Sequence, residues 1–411
     1  MVRRATAVLR PIGERLIGLL VVPVPTPSDA LRRGPFRGDA FSSASRSSWL
    51  TSRLGIALGI CFGVCFVTGL LSHAIQHPPG WFWWPARPVA LYRVTQGMHV
   101  ATGLAAFPLL SVKVWSVYPK LFTWPPARTV AHAAERLLIV VLMAASLFQL
   151  VTGLFNVAHW YSLMPWGFLH AHYWTAWLGV GALLVHVATK LPVIRQSLRR
   201  SEPSLLDKPV GEAGLSRRGV LGVAGAAVVA VTLATVGQTV RPLSRLSVLA
   251  PRRPDIGPQG LPVNTTAIGA RVTTPALDPA YRLVLRGPAG ERLFTPDDLA
   301  AMPQCTADLP ITCVEGWSAG ASWTGVRLSD LVELVGGSTV DTVLVESLQE
   351  SGYRSSLLDP AHLADPLTLL ALRLNGEPLH LDHGYPCRLI APNRPGVLQT
   401  KWVGAVTVMA R

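Results

Sequence analysis

Residues 136–155, RLLIVVLMAASLFQLVTGLF, decide the fold of the first half of the chain when set beside residues 53–71, RLGIALGICFGVCFVTGLL. Each opens on an arginine, runs uncharged for the roughly 20 residues that cross about 30 Å of hydrocarbon as a helix, and carries the same Val-Thr-Gly-Leu near its end. The chain therefore repeats itself. The repeat continues, because Gly97-Met98-His99-Val100 precedes its apolar run as Ala171-His172-Tyr173 precedes another. Four runs paired in this way predict a two-plus-two helical bundle.

Five segments are long and apolar enough to span a bilayer: 54–75, 94–115, 137–158, 168–190 and 219–240. Composition agrees, since half of the 411 residues are hydrophobic and 15% charged, which excludes a disordered chain and a plain soluble enzyme. The net charge of +14 divides unevenly: residues 1–263 hold 26 basic and 8 acidic residues, and residues 264–411 hold 11 and 15. Between Asp39 and Glu202 the only acid is Glu135, and ten of the 13 tryptophans precede residue 263, as lipid-facing helices with interfacial aromatics require. Nucleic acid is excluded as a partner because the arginines flank apolar runs instead of lining a polar face. The five cysteines show no CxxC pair or zinc spacing, so a disulfide framework is not indicated.

Arginines and lysines cluster before the first run, between the second and third, and between the fourth and fifth, whereas residues 157–170 hold none. The positive-inside rule then places those clusters in the cytoplasm. Five crossings of the cell membrane leave everything after residue 240 on the extracytoplasmic side. The expected organisation is an Arg/Pro-rich cytoplasmic arm (1–50), a four-helix membrane domain (51–195), a cytoplasmic linker (196–218), a fifth anchoring span (219–240), an outer linker (241–263) and a globular domain (264–411). Ser216-Arg217-Arg218-Gly219-Val220-Leu221 before a mild apolar run resembles a twin-arginine export signal placed internally. That resemblance implies the twin-arginine export machinery as a partner; ordinary inside anchoring is the competing explanation.

In the repeat His99 and His172 are equivalent, each expected four or five residues inside the outer edge of its helix. A pseudo-twofold axis would direct both imidazoles to one site, the arrangement of bis-histidine haem ligation, and neutral imidazoles suit haem iron. Hydrogen bonding to loop carbonyls is the plainer alternative. His186 follows His172 by 14 residues, close to four turns or about 21 Å along one helix face. Residues 50–195 resemble the four-helix, di-haem cytochrome b family of quinone-linked membrane subunits. The resemblance implies haem b, with His99, His172 and His186 as ligands, and exchange with the quinone/quinol pool. It departs at Lys113, the repeat mate of His186, so a second haem would need His132, expected just outside the inner edge of the third helix.

The remainder reads as α+β. Strands are expected at 281–285, 342–346, 388–391 and 403–408, and helical turns at 295–301 and 328–335. Cys313-Val-Glu-Gly-Trp-Ser318, Trp323-Thr-Gly-Val-Arg-Leu328, Glu350-Ser-Gly-Tyr353, Asn375-Gly-Glu377, His383-Gly-Tyr-Pro-Cys-Arg388 and Lys401-Trp402-Val403-Gly404 follow in order. Together they resemble the sulfite oxidase family of molybdopterin enzymes, and the short CVEGWS form is most similar to its methionine sulfoxide reductase branch. The resemblance implies Cys313 as a thiolate ligand of molybdenum. It implies Asn264, Gly316, Trp317, Arg388 and Lys401 around molybdopterin, and His383 and Tyr385 in the pocket of a small-molecule substrate. No basic cluster follows Cys313, so sulfite is not implied as that substrate.

The expected fold class is thus multi-domain: an all-α transmembrane bundle of four helices plus a fifth anchoring span, followed by an α+β sulfite oxidase-type molybdopterin-binding domain. The expected function is a membrane-bound oxidoreductase that couples S-oxide or N-oxide reduction, or the reverse oxidation, to quinone through b-type haem. The alternative is a membrane-anchored binding or assembly module without haem electron transfer.

Overall fold

A computed structural model describes residues 18–37, 46–199, 215–236, 241–253 and 256–409. Most of the expected N-terminal arm, residues 200–214 of the expected linker and the last four residues of the expected fifth span lie outside the described residues. Among the described residues five helices are long and apolar enough to cross a membrane: α1 (Ser48–Gln76), α2 (Leu91–Val117), α3 (Val130–Ala158), α4 (Phe168–Arg199) and α5 (Arg217–Val236). The first four begin or end several residues beyond their apolar runs. At α3 the Thr129 hydroxyl accepts the His132 N–H at 3.2 Å and starts the helix seven residues early. His132 therefore lies within the first turn of α3 and not outside it, and its Nδ1 accepts the Arg128 N–H at 3.3 Å.

The sheet-rich domain adds α6 (Thr273–Leu277), β1 (Leu283–Gly287), β2 (Gly290–Phe294), α7 (Pro296–Ala301), β3 (Cys305–Thr312), β4 (Ser318–Arg327), α8 (Leu328–Glu333) and β5 (Thr342–Ser347). It continues through β6 (Ser355–Leu358), α9 (Pro360–Leu363), β7 (Leu369–Leu374), β8 (Glu377–Pro378), β9 (Arg388–Ile390) and β10 (Val403–Met409). One sheet runs β2-β1-β10-β5-β6, with β1 parallel to β10 and the other pairs antiparallel. The other runs β3-β4-β7-β8, with β9 on β7. Strand β7 is apolar on both faces: Leu370 enters a core with Leu283, Val345 and Val406, while Leu369 and Ala371 enter a second core with Leu309, Ile311 and Trp323. That double burial explains the unbroken Leu-Leu-Ala-Leu run.

Two details differ from the sequence reading. The first strand starts at Leu283, because Tyr281 closes a turn on Asp278 and donates its buried hydroxyl to the Val403 carbonyl at 2.6 Å. The expected outer linker, residues 241–263, contains 3-10 turns at Arg241–Leu246 and Pro258–Gly260.

The chain forms two compact units. One holds Met1–Phe66, Thr102–Asn156 and Trp160–Val231; the other holds Val67–Ala101, Val157–His159 and Thr232–Arg411. The second unit thus groups the sheets with the end of α1, the following loop and the start of α2. Asn393, buried on the loop after β9, is the chief clamp. Its Oδ1 accepts the Tyr92 N–H at 2.7 Å, its Nδ2 donates to the Pro85 carbonyl at 2.6 Å, and its own carbonyl accepts the Trp84 indole N–H at 2.8 Å. Arg87 adds a bidentate pair with Asp365 at 2.8 and 3.1 Å.

Candidate functional site

Strand β3 ends at Thr312 and delivers Cys313 into a tight turn. The Cys313 N–H donates to the Trp317 carbonyl at 2.9 Å, and the Gly316 N–H donates to the Cys313 carbonyl at 3.0 Å. Gly316 sits at φ +95°, a left-handed conformation that any side chain would strain. Asn264 reaches the cysteine from 49 residues away: Nδ2 donates to Sγ at 2.9 Å, while Oδ1 accepts the Trp317 indole N–H at 3.2 Å and Arg252 Nε at 3.2 Å. Burial, with Glu315 adding its charge, pushes the Cys313 thiol well above its ordinary range. A thiolate here requires a cationic partner such as a metal.

Cys313 opens on a cavity of about 280 Å³ that Asn264, Trp317, His383, Arg388 and Lys401 also line. No carboxylate lines it among the described residues. The Arg388 guanidinium is buried, lies 5.3 Å over the Trp323 ring and donates to the His383 carbonyl at 3.2 Å, while its Nε has no partner among the described residues. Burial lowers it to about 9. Lys401 donates to the Thr265 and Asp382 carbonyls at 2.6 and 2.9 Å; burial and the Arg388 charge bring it down to about 7. Gly384, at φ +111°, lets these two cations approach, since a Cβ there would meet Lys401 and Arg388 at 3.1–3.2 Å. His383 Nε2 lies 2.7 Å from the Pro258 carbonyl, and burial, then Arg388, lowers the ring to about 4, so it is neutral near pH 7.

Tyr385, expected in the pocket, packs against the second core and does not line the cavity. Tyr353 does line it, and its hydroxyl donates to Gln76 Oε1 at 3.3 Å. It lay inside a motif already quoted, which was the available signal.

A cavity with two cations, a buried unpartnered guanidine nitrogen and a sulfur donor fits an anionic, metal-bearing cofactor. The charges suit a phosphate and the sulfur suits molybdenum.

The membrane histidines divide between the units. His99, in the second unit, has Nδ1 3.2 Å from the Thr68 hydroxyl; His172, in the first, has Nδ1 2.9 Å from Thr152 Oγ1. Thr152 donates its own proton to the Phe148 carbonyl at 2.6 Å. The His172 ring therefore donates from Nδ1, which makes Nε2 its basic nitrogen. The Val-Thr-Gly-Leu repeat has this physical content: the threonine pairs with the histidine, and the glycine leaves room for the ring. A Cβ on Gly69 would lie 3.1 Å from His99 Cε1, and one on Gly153 3.9 Å from His172 Cε1. His186 has a buried Nδ1 with no hydrogen-bond partner among the described residues. Its repeat mate Lys113 donates to the Thr51 carbonyl.

Residues 271–411 match the family model described as oxidoreductase molybdopterin binding domain. Over 130 residues the chain is 32% identical to a candidate protein-methionine-sulfoxide reductase subunit, YedZ1, of Azospira oryzae, covering 31% of this chain and 49% of that protein. Over 165 residues it is 33% identical to the mitochondrial sulfite oxidase of Homo sapiens, covering 33% of this chain and 30% of that one. A solved structure, the sulfane dehydrogenase SoxCD of Paracoccus pantotrophus, matches at 25% identity over 32% of this chain and 38% of that chain, with a TM-score of 0.30. The chain spans about half the length of YedZ1 and about a third of sulfite oxidase. Behind five helices able to cross a membrane, residues 271–411 of this chain are an oxidoreductase molybdopterin-binding domain.

Proposed function

We propose that the chain is a membrane-bound oxidoreductase of the cell membrane that exchanges two electrons with a small S-oxide or N-oxide, or with the corresponding reduced compound. Single electrons pass between that site and the quinone pool through b-type haem. The carrying observation is the cavity, lined by no carboxylate among the described residues, in which the Cys313 sulfur, the Asn264 amide, Arg388 and Lys401 meet.

Molybdopterin would be held by the Cys313 sulfur and by Arg388 and Lys401 at its phosphate, and when bound it supplies two-electron redox chemistry. Asn264 stabilises negative charge on sulfur by donating to it. Trp317 orients Asn264 through its indole N–H, and Gly316 keeps the turn tight enough for the Cys313 carbonyl to be bonded. The neutral His383 ring presents an uncharged wall, so a neutral sulfoxide or amine oxide enters without a charge to compensate.

His99 and His172 are the proposed haem ligands, each aligned through Nδ1 by a threonine. His186 is a candidate for a second haem, and its unpartnered Nδ1 motivates that role. The outward orientation of residues 241–409 rests on the distribution of arginines. Export through the twin-arginine machinery rests on Ser216-Arg217-Arg218. Arg217 and Arg218 occupy the first turn of α5, where cations oppose the helix dipole, so helix stability does not explain them.

The reading is tested by metal analysis and optical spectra of the purified full chain. Wild type should carry molybdenum and a reducible b-type band; Cys313→Ala should lose the metal, and His99→Ala the band. Wild-type protein from a cofactor-competent host with neither group refutes it.

A further inference from the structure

The three residues that follow Cys313 are each gripped by a residue of the apolar half, all within the second unit. Gln96 Nε2 donates to the Val314 carbonyl at 2.6 Å. His159 Nε2 lies 3.4 Å from Glu315 Oε1, whose side chain is buried. Gly316 rests on Val100 so closely that a Cβ would come within 2.5 Å of Val100 Cγ2. Gln96, His99 and Val100 are spaced i, i+3, i+4 on α2, so the helix face bearing His99 is the face that meets the turn. Gln96 and Val100 are both buried there.

We propose that the Cys313–Trp317 turn is the electron route between His99 and Cys313, with Gln96 the positioning residue that holds the turn on α2. The inference rests on the function proposed above. From His99 the route crosses one peptide bond to Val100, one van der Waals contact to Gly316, and the Gly316 N–H bond to the Cys313 carbonyl. The glycine is required twice, for its backbone conformation and for that contact. In the reducing direction two electrons would cross the turn one at a time, each given up by a haem held at His99. One quinol supplies both and releases two protons. An S-oxide or N-oxide takes up two electrons and two protons to give the sulfide or amine and water.

Gln96→Leu removes the bond to Val314, and Val100→Ala, a milder second variant, opens a gap at Gly316. Both are made in the full chain. Amide hydrogen exchange of residues 313–317, read in cofactor-free protein, should accelerate about fivefold in Gln96→Leu, the worth of one hydrogen bond of about 1 kcal/mol. In loaded protein, oxidation of the reduced haem by methionine sulfoxide, dimethyl sulfoxide or trimethylamine N-oxide should slow by about fivefold or more in either variant. Haem content, molybdenum content and turnover driven by reduced viologen dye should stay at wild-type levels. Haem oxidation at the wild-type rate in both variants overturns the route while leaving the proposed function standing, and unchanged exchange in Gln96→Leu overturns the role of Gln96. If wild type holds no haem, or its haem is neither re-oxidised by any of the three oxidants nor reduced by the corresponding sulfides or amine, the proposed function fails and the route with it.

Discussion

Asn264 donates its side-chain amide to the sulfur of Cys313 at 2.9 Å, across 49 residues of chain. Asn264→Leu keeps the volume and removes the donor. It also strips acceptors from Trp317 and Arg252. A bond to a charged sulfur is worth about 1.5–3 kcal/mol, so molybdenum retention after dialysis should fall about ten- to a hundredfold. Retention equal to wild type would mean that the amide does not support the thiolate.

Lys401 titrates near 7 because burial and Arg388 oppose its charge. A bound phosphate restores that charge, so cofactor uptake takes up a proton. The sign follows from linkage: above pH 7 the empty protein must first be protonated, and affinity falls by up to about tenfold per pH unit. Pterin fluorescence bound when cofactor is added back to the empty protein across pH 6.5–9 should show this slope, and Lys401→Gln should flatten it.

His383 is held at about 4, below its ordinary 6.5, by burial and then by Arg388. Between those values the unfolded chain binds a proton that the folded one refuses. The stabilising contribution is complete above pH 6.5 and is lost as pH falls toward 4, at up to about 1.4 kcal/mol per unit. Thermal unfolding of cofactor-free protein over pH 4–7 should be less acid-sensitive in His383→Gln.

Thr152→Val leaves His172 in place but removes the partner of Nδ1. Partners of this kind typically alter affinity about ten- to a hundredfold. Haem retention should fall by that order and the reduction midpoint should shift. Thr68→Val should act in the same way through His99. Unchanged haem content and potential in both variants would refute ligation aligned by the threonines.

Asn393→Ala leaves the Tyr92 N–H and the Pro85 carbonyl without their partners. One buried and one part-buried polar group left unpaired cost about 2–6 kcal/mol. Amide exchange through residues 84–96 should accelerate accordingly.

The five spans were legible because an uncharged 20-residue run has few alternatives, and Val-Thr-Gly-Leu marked the repeat. Its chemical meaning was not legible, since the pairing of Thr68 with His99 crosses from one helix to the next. After residue 264 the strands β1, β5, β9 and β10 were readable, whereas β6 alternates too but spans only four residues. Strand β7 was not, because both its faces are buried and alternation disappears. Cys313, Arg388 and Lys401 stood in an ordered series of motifs. Tyr385 stood there too, yet the chain turns it into a core, and Tyr353 lines the cavity. Gln96 and Asn393 carried no sequence signal, because each acts on a backbone group more than 200 residues away.

Anaerobic optical spectroscopy of the reduced full chain tests the central claim most directly. Addition of a sulfoxide or amine oxide should oxidise the b-type band in wild type and leave it reduced in Cys313→Ala, in which the band itself is intact. Oxidation at equal rates in both proteins, or a wild type with no such band, would contradict the account.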